Sequence, residues 1–222
     1  MRLAVFDFDG TIYQGETIRL FLRVLARRDR RMRRAVRFYT ARSVPGYLAY
    51  KLGLWRLDMM TLAARGLVGL MRGMDRHEME EFFRQCAEEA APRFNPLVLA
   101  RLEAHLAAGD RGVILSGAYA PFLAAVAARL GAGAWIGTEI LMEETRCAGM
   151  GRHIIGPRKV EALRSYLAEE ERTGTRFDLS EAFVYADGIQ DLPLLLMAGH
   201  PVAVNPDSRL RREAARRGGE VI

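Results

Sequence analysis

Two hydrophobic patterns alternate along the chain. Between residues 16 and 91, apolar side chains recur every three or four positions, as Ile18, Phe21 and Leu25 do, while arginines occupy the opposite side. This spacing predicts amphipathic helices, and Pro-Gly within residues 43–46 predicts a break between two of them. Elsewhere, short uninterrupted apolar runs alternate with helical patterns. That alternation is typical of a parallel sheet with helices on both faces.

The helical region has its clearest boundary near its end. Asp75 is a residue type that caps helices, and the apolar residues that follow it share one side of the predicted helix. These residues are Met79, Phe82, Phe83 and Cys86. We therefore predict a small all-helical domain at residues 15–91.

The rest of the chain, residues 1–14 and 92–222, predicts an α/β core with a three-layer, Rossmann-like parallel sheet. Only residues 139–155 lack a regular pattern. Strands are predicted at the N-terminal run that begins at Leu3 and at 112–115, 134–136, 182–185 and 202–204, and helices at 97–108, 121–130, 157–171, 192–198 and 208–217.

The first strand ends on two carboxylates, Asp7 and Asp9, followed at once by Gly10 and Thr11. Residues i and i+2 of a strand face the same side, so both carboxylates should project together from its carboxyl end. Two like charges this close need a cation between them or a proton on one of them. A hard, oxygen-seeking ion such as Mg²⁺ is the natural candidate. An acidic turn after an edge strand is the simpler alternative.

Two polar groups further along could hold an anion. Ser116 and Gly117 follow the strand 112–115, where a hydroxyl and free backbone N–H groups suit a phosphate oxygen, although Ser-Gly is also a common turn. Arg158 and Lys159 fall in the first turn of the helix that Pro157 opens. A cation there opposes the helix dipole, so we expect either an anion beside it or a lysine that extends into water.

A second acidic pair follows a later strand. Asp187 ends the strand 182–185, and Asp191 lies four residues further on. One turn of chain can therefore aim both carboxylates at the same place. Because ligands of open α/β sheets bind outside the carboxyl ends of the strands, we expect all these groups to meet there.

In this order, the motifs resemble those of the haloacid dehalogenase superfamily. Asp-Phe-Asp-Gly-Thr at residues 7–11 is similar to the first motif of its phosphatases, and Ser116, Lys159 and the acidic pair follow in the family's order. Leu-Pro-Leu-Leu after Asp191 is similar to the phosphoserine-phosphatase-like branch, whose helical cap domain occupies the place of residues 15–91. That branch usually has serine where Gly188 stands here, so the effect of the missing hydroxyl is open.

The resemblance implies a Mg²⁺-dependent phosphatase that hydrolyses a phosphomonoester through an aspartyl-phosphate. It makes Asp7 the nucleophile and Asp9 the general acid and base, and an aspartate at position 9 favours phosphoryl transfer over dehalogenation. It places Mg²⁺ on Asp7, Asp187 and the backbone carbonyl of Asp9. The implied phosphate ligands are Ser116, the amide of Gly117, and Lys159.

The resemblance also implies supporting residues around this centre. Asp191 would orient Lys159 or a metal-bound water, and Thr11 and Gly188 belong to the supporting motifs. Glu16 stands about where relatives keep an acidic residue that faces the substrate. An amine-bearing substrate would explain Glu16, and so would an acid stabilised by a helix N-terminus.

The net charge of +6 is unevenly distributed, with ten arginines between residues 19 and 42 against the single acid Asp29. Such a stripe could contact an anionic substrate, an acidic membrane surface or nucleic acid, or could simply be a solvated helix face. Tyr47, Tyr50 and Trp55 near the stripe could rest on a membrane interface. No nucleic-acid-binding motif accompanies it, so we expect a small phosphorylated substrate and no nucleic-acid partner.

Other residue types narrow the remaining classes. The two cysteines give no disulfide framework, and no leader or membrane span is evident, so we expect a cytoplasmic protein that could lie peripherally at the membrane. The four histidines show no metal-ligand spacing: these are His77, His105, His153 and His200. We predict structural roles for His105 and His200.

Three functions remain open at this point. The first is the phosphatase, acting on a phosphoserine-like, amino-alcohol or lipid phosphate. The second is a phosphotransferase or mutase on the same core. The third is a non-catalytic basic adaptor for a membrane surface or nucleic acid, against which the retained cluster of carboxylates and lysine argues, because buried charges are costly.

Overall fold

The computed structural model describes residues 1–51 and 59–222, with side chains described for residues 1–46 and 59–222. Trp55 and the side chains of Tyr47 and Tyr50, for which a membrane contact is predicted, lie outside the described residues. Within the described ranges the elements are β1 (Leu3–Phe6), α1 (Thr17–Arg28), α2 (Arg30–Lys51), α3 (Met59–Met71), α4 (Arg76–Ala90), α5 (Pro96–Ala107), β2 (Arg111–Tyr119), α6 (Ala120–Leu130), β3 (Ala134–Thr138), β4 (Ile140–Glu143), β5 (Arg146–Met150), α7 (Pro157–Arg172), β6 (Phe183–Ala186), α8 (Leu192–Leu195), β7 (His200–Ala203), α9 (Ser208–Arg217) and β8 (Glu220–Val221).

Six of the described strands form one sheet in the order β3-β2-β1-β6-β7-β8, and each neighbouring pair is parallel. The two faces are covered by separate hydrophobic clusters. Phe6 of β1 packs in the cluster that includes α1, α4 and α6, whereas Val5 packs in the cluster that includes α7, α8 and α9. Successive strand residues point to opposite faces, which gives helix, sheet and helix layers. The predicted three-layer α/β fold is confirmed.

The helices before α5 share a core with one face of the sheet. Phe21 of α1 contacts Phe122 of α6 with ring centroids 4.9 Å apart. The predicted cap of α4 is present, because Asp75 accepts a hydrogen bond from the Glu78 amide and Glu78 reaches back to the Asp75 amide. The division of the chain at residues 15–91 stays a prediction. Among the described helices, none combines the length and apolarity that a membrane crossing needs.

The predicted break at residues 43–46 is wrong, because α2 runs through Pro45. Proline removes one helical N–H, so the carbonyl of Ala41 loses its usual partner. Both Ala41 and Pro45 are exposed, and water can satisfy the freed carbonyl. Exposure therefore makes this proline tolerable within the helix.

Two parts of the sheet region also differ from the prediction. Strand β2 does not end at Leu115 but continues to Tyr119, with a register shift against β3 between these two residues. The irregular stretch 139–155 contains an antiparallel hairpin, β4 and β5. The hairpin also forms backbone hydrogen bonds with a segment far away in the sequence, since the Cys147 amide donates to the Met74 carbonyl at 2.8 Å. Short strands that pair with a distant segment leave little alternation in their own sequence.

A buried polar network links the amino ends of β1 and β2 to a side chain of β6. The Asp110 carboxylate accepts hydrogen bonds from Arg2 and lies 2.9 Å from His105 Nδ1. His105 Nε2 lies 2.9 Å from the Tyr185 hydroxyl, so both ring nitrogens are bonded, which agrees with the structural role predicted for His105. Burial raises the pKa of Asp110, but hydrogen bonds from Arg2 and His105 outweigh it and lower the pKa to about 2.

Asp110→Asn tests this network. The substitution keeps the side-chain shape and removes the charge, so we expect the free energy of unfolding to fall by about 1–3 kcal/mol at neutral pH. Because the pKa of Asp110 is lowered, its stabilisation is present above the unfolded-state value of about 3.9 and is lost as the pH falls through the folded-state value. Urea unfolding of both proteins from neutral pH into this acidic range should show the difference shrink. A difference that is constant with pH would contradict the charge-based explanation.

Candidate active site

A buried lysine joins two carboxylates at the carboxyl end of the sheet. Lys159 Nζ donates to Asp7 Oδ1 and to Asp191 Oδ2, both at 2.7 Å. The three side chains are each less than a tenth exposed. Asp7 directly follows β1, and Lys159 is the third residue of α7. The arrangement therefore joins a strand end to a helix N-terminus.

Asp187 completes an acidic cluster around this lysine. Carboxylate oxygens of Asp7, Asp187 and Asp191 lie within 4.8 Å of one another. Strands β1 and β6 are neighbours, with Phe6 opposite Tyr185, so Asp7 and Asp187 leave the sheet side by side. One ammonium faces three carboxylates, and the site carries an excess of negative charge.

The electrostatic balance appears in the pKa values of these groups. Burial raises the pKa of Asp7 above its ordinary range, and Lys159 offsets only part of that rise. Burial likewise raises the pKa of Asp187 to about 6. Burial lowers the pKa of Lys159, but the attraction of Asp7 and Asp191 outweighs it and raises the pKa. The lysine is thus held as a cation, while the carboxylates favour a second cation or a proton.

Gly10 allows the Asp187 carboxylate to approach the first motif. A Cβ on Gly10 would lie 2.1 Å from Asp187 Oδ2, and the residue has a φ of +78°. Side-chain-bearing residues rarely adopt this conformation. Two separate constraints therefore favour glycine at position 10: the left-handed backbone conformation and the closeness of the Asp187 carboxylate. The sequence indicates only the turn.

Asp9 faces the N-terminus of α1. Its Oδ2 accepts a hydrogen bond from Thr17 Oγ1 at 2.8 Å, and its Oδ1 accepts one from the Thr17 amide at 3.0 Å. Burial raises the pKa of Asp9 to about 7, against the lowering effect of both Thr17 bonds. Sequence reasoning missed Thr17, and the one available signal was a hydroxyl residue at the start of a predicted helix.

The predicted phosphate ligands Ser116 and Gly117 lie within β2 and not after its end. Ser116 is buried, and its Oγ accepts a hydrogen bond from the Ala118 amide at 3.2 Å. The Gly117 carbonyl accepts one from Thr138 Oγ1 at 2.8 Å. Thr11 is fully buried, and its hydroxyl has no hydrogen-bond partner among the described residues.

Asp207 fixes the loop that carries the second acidic pair. Its Oδ2 accepts a hydrogen bond from the Ile189 amide at 3.0 Å, and its amide donates to the Asp187 carbonyl at 3.1 Å. The same side chain caps α9. Sequence reasoning did not assign this role to Asp207. Gly188 lies in the loop with open space around it, since its Cβ would come no closer than 4.0 Å to Gln190 N.

Glu16 is exposed and pairs with Arg19 at 2.8 Å, so its predicted contact with the substrate stays a prediction. The arginine stripe lies on α1 and α2. Arg27 and Arg28 pair with carboxylates of α4. Among the residues that the structure describes, the exposed arginines of α2 form no ion pair with a carboxylate. The membrane contact predicted from the stripe also stays a prediction.

The fold and the site define a Rossmann-like α/β protein whose acidic centre is built from aspartates at the ends of parallel strands. The model of the haloacid dehalogenase-like hydrolase family matches residues 4–196. The chain belongs to this family, and the resemblance noted from the motifs is confirmed.

Relatives and solved structures agree with this assignment. The chain is 29% identical to the inhibition of morphological differentiation protein of Streptomyces azureus, over 99% of this chain and 77% of that protein. It is 29% identical to a histidinol-phosphatase of Neisseria meningitidis serogroup C (strain 8013), over 99% of this chain and 97% of that protein. It is 27% identical to the phosphoserine phosphatase SerB1 of Mycobacterium tuberculosis (strain ATCC 25618 / H37Rv), over 98% of this chain and 69% of that protein. The chain also superimposes on a crystal structure of a Bordetella pertussis Tohama I protein of unknown function. The TM-score is 0.81 and the identity 25%, and the match covers 100% of this chain and 97% of that one.

Gly10→Ala tests the close approach of Asp187. We expect a loss of about 1–2 kcal/mol in the free energy of unfolding from the left-handed backbone alone. The added Cβ also displaces Asp187, so stabilisation of the folded protein by added Mg²⁺ should weaken. Thermal unfolding with and without Mg²⁺ measures both effects. Gly188→Ala is the matched control, because its Cβ meets open space. A Gly10→Ala variant that is destabilised but gains as much stability from Mg²⁺ as Gly188→Ala does would show that Gly10 is only a turn residue.

Proposed function

We propose that the protein is a Mg²⁺-dependent phosphatase that hydrolyses a phosphomonoester through an aspartyl-phosphate on Asp7. The observation that carries this proposal is the buried ammonium of Lys159, bonded to Asp7 and Asp191 at 2.7 Å each. A cation held beside a strand-end carboxylate suits a reaction in which negative phosphoryl oxygens must approach that carboxylate.

The donor set fits Mg²⁺. Hard cations prefer oxygen ligands, and the oxygens of Asp7, Asp187 and Asp191 converge within 4.8 Å. In our proposal Asp7, Asp187 and the backbone carbonyl of Asp9 hold the ion, and Asp191 keeps Lys159 in place. When bound, Mg²⁺ would neutralise the phosphoryl oxygens and the excess charge of the carboxylates.

Two aspartates divide the proton and phosphoryl chemistry. The carboxylate of Asp7 attacks phosphorus, and the bond to the leaving alcohol oxygen breaks as that oxygen takes a proton from Asp9. The carboxylate of Asp9 then takes a proton from the water that hydrolyses the aspartyl-phosphate. The pKa of Asp9 is raised by burial to about 7, which suits a group that gives and takes a proton near neutrality.

The phosphate is held by groups from two further elements. Ser116 and the amide of Gly117 would bind phosphoryl oxygens from β2, and Lys159 would bind them from the start of α7. Preorganised donors of this kind stabilise charge that shifts during transfer. The hydrogen bond from Thr138 to the Gly117 carbonyl at 2.8 Å supports this role, because it restrains the backbone that directly follows the Gly117 amide.

The names of two relatives suggest a substrate class. Histidinol phosphate and phosphoserine are both phosphate esters of a primary alcohol with an amine on the adjacent carbon. Relatives named for hydrolysis of these two compounds match almost the whole chain. We therefore infer that the substrate is an amino-alcohol phosphate, and we place Glu16 as a candidate partner for its amine.

Asp7→Asn should abolish phosphate release while leaving the protein folded, because an amide is not a nucleophile toward phosphorus. We expect a fall of about 10³-fold or more. Released phosphate is measured for histidinol phosphate, phosphoserine, phosphoethanolamine, glycerol phosphate and a short-chain phosphatidate, each with Mg²⁺ or with EDTA. Amino-alcohol phosphates should be the best substrates, and EDTA should stop turnover.

Asp178→Asn is the matched control, because Asp178 is an exposed aspartate of a 3₁₀ turn and its charge should not affect the rate. Turnover that survives Asp7→Asn would contradict the covalent mechanism. Phosphate transfer to an added alcohol in place of water would favour a phosphotransferase. Folded, Mg²⁺-loaded protein that releases phosphate from no ester would favour the adaptor.

Thr17→Val tests the role of Asp9. The hydroxyl of Thr17 stabilises the charged form of Asp9 and lowers its pKa, so its removal should raise that pKa. One lost hydrogen bond to a charged group corresponds to about one pH unit. The limb of the kcat/KM profile that depends on Asp9 should move to higher pH by this amount, and Thr17→Ser should keep the wild-type profile. A profile unchanged in Thr17→Val would remove Asp9 from the proton transfers.

A further inference from the structure

A buried histidine outside the proposed chemistry lies beside the phosphate-binding part of the site. His153 is 5% exposed and belongs to the segment between β5 and α7. Its Nδ1 lies 2.8 Å from Thr61 Oγ1 and forms a hydrogen bond with it. Thr61 is a residue of α3, so this bond joins the helical part of the chain to the segment that leads into α7.

The other side of the imidazole covers Gly117. A Cβ on Gly117 would lie 3.3 Å from His153 Nε2 and 2.7 Å from Ile155 Cγ2. The ring therefore occupies the face of Gly117 on which any other residue would carry its side chain. Gly117 follows Ser116 directly, so His153 packs against the backbone to which we assign phosphate binding.

The segment of His153 is bonded to the same peptide from a second direction. Thr138 Oγ1 donates to the Gly117 carbonyl at 2.8 Å and accepts a hydrogen bond from the Ile154 amide at 3.2 Å. Thr138 is fully buried. Six residues after His153 the same segment presents Lys159 to Asp7. A displacement of this segment would therefore move both Gly117 and Lys159.

We propose that His153 is a positioning residue that couples α3 to the phosphate-binding groups, so that contact with α3 sets the placement of Gly117 and Lys159. This inference rests on the proposed function. An apolar side chain would fill the space over Gly117 without needing a partner. A buried imidazole needs one, because an unsatisfied buried polar group is costly. The Thr61 hydroxyl is one such partner, and it reaches Nδ1 only when α3 is in place.

Thr61→Val and Thr61→Ser form the decisive pair, because valine keeps the shape and removes the hydroxyl, while serine retains it. The measurements are the Kd of inorganic phosphate by calorimetry with Mg²⁺, and kcat and KM for the best ester of the panel. We expect Thr61→Val to weaken phosphate binding and to lower kcat/KM, each about fivefold, as one lost hydrogen bond does. Thr61→Ser should bind phosphate and turn over as the wild type does.

His153→Leu and the double variant Thr61→Val/His153→Leu complete a cycle. If the two residues act through one bond, the double variant should be no worse than His153→Leu alone. Additive losses, or wild-type phosphate affinity in Thr61→Val, would overturn the coupling while the phosphatase stands. If His153→Leu does not fold, the Thr61 pair decides. A wild type that neither binds phosphate nor hydrolyses any ester would overturn both the coupling and the proposed function.

Discussion

The active-site region depends on one ion pair with two acceptors, the ammonium of Lys159 between Asp7 and Asp191. Three carboxylates this close cannot all stay ionised without opposite charge, since their repulsion and desolvation both disfavour the ionised forms. Lys159 neutralises part of this charge and at the same time fixes the distance between β1, α7 and the loop after β6. The remaining negative charge favours a bound cation, and in our proposal that cation and Lys159 attract the phosphoryl group beside them.

Much of this site could be predicted from the sequence because its groups stand at strand ends in a parallel sheet. Asp7 and Asp187 follow apolar runs, and adjacency of β1 and β6 brings them together. Pro157 indicates that Arg158 and Lys159 lie at the start of a helix, and the resemblance to the family's motif selects Lys159. Apart from that selection, these inferences need only chain order and the direction of the strands, which local sequence patterns carry.

The contacts that sequence reasoning missed join residues whose types are ordinary in their own surroundings. Thr17 bonds Asp9 across a turn, and Asp207 bonds the Ile189 amide across 18 residues of chain. From the local sequence, Thr17 is simply the start of a helix and Asp207 is simply a helix cap. Their second role depends on what packs beside them, which periodicity does not encode. The same reason explains the hairpin of β4 and β5, whose backbone pairs with residues near Met74, and the exposed Pro45 within α2.

Stability and chemistry lie close together on the central strands. Asp110, His105 and Tyr185 satisfy one another's polar atoms, and Tyr185 stacks on Phe6, the residue before Asp7, with ring centroids 4.4 Å apart. The Tyr185 carbonyl also accepts the Asp7 amide at 2.9 Å, so the strand that anchors the network is bonded to the residue that begins the site. A satisfied polar network makes a unique arrangement of strands more favourable. Functional sites commonly retain groups that reduce stability, and here the cluster of like charges directly follows strand residues that this network and the ring stack hold in place.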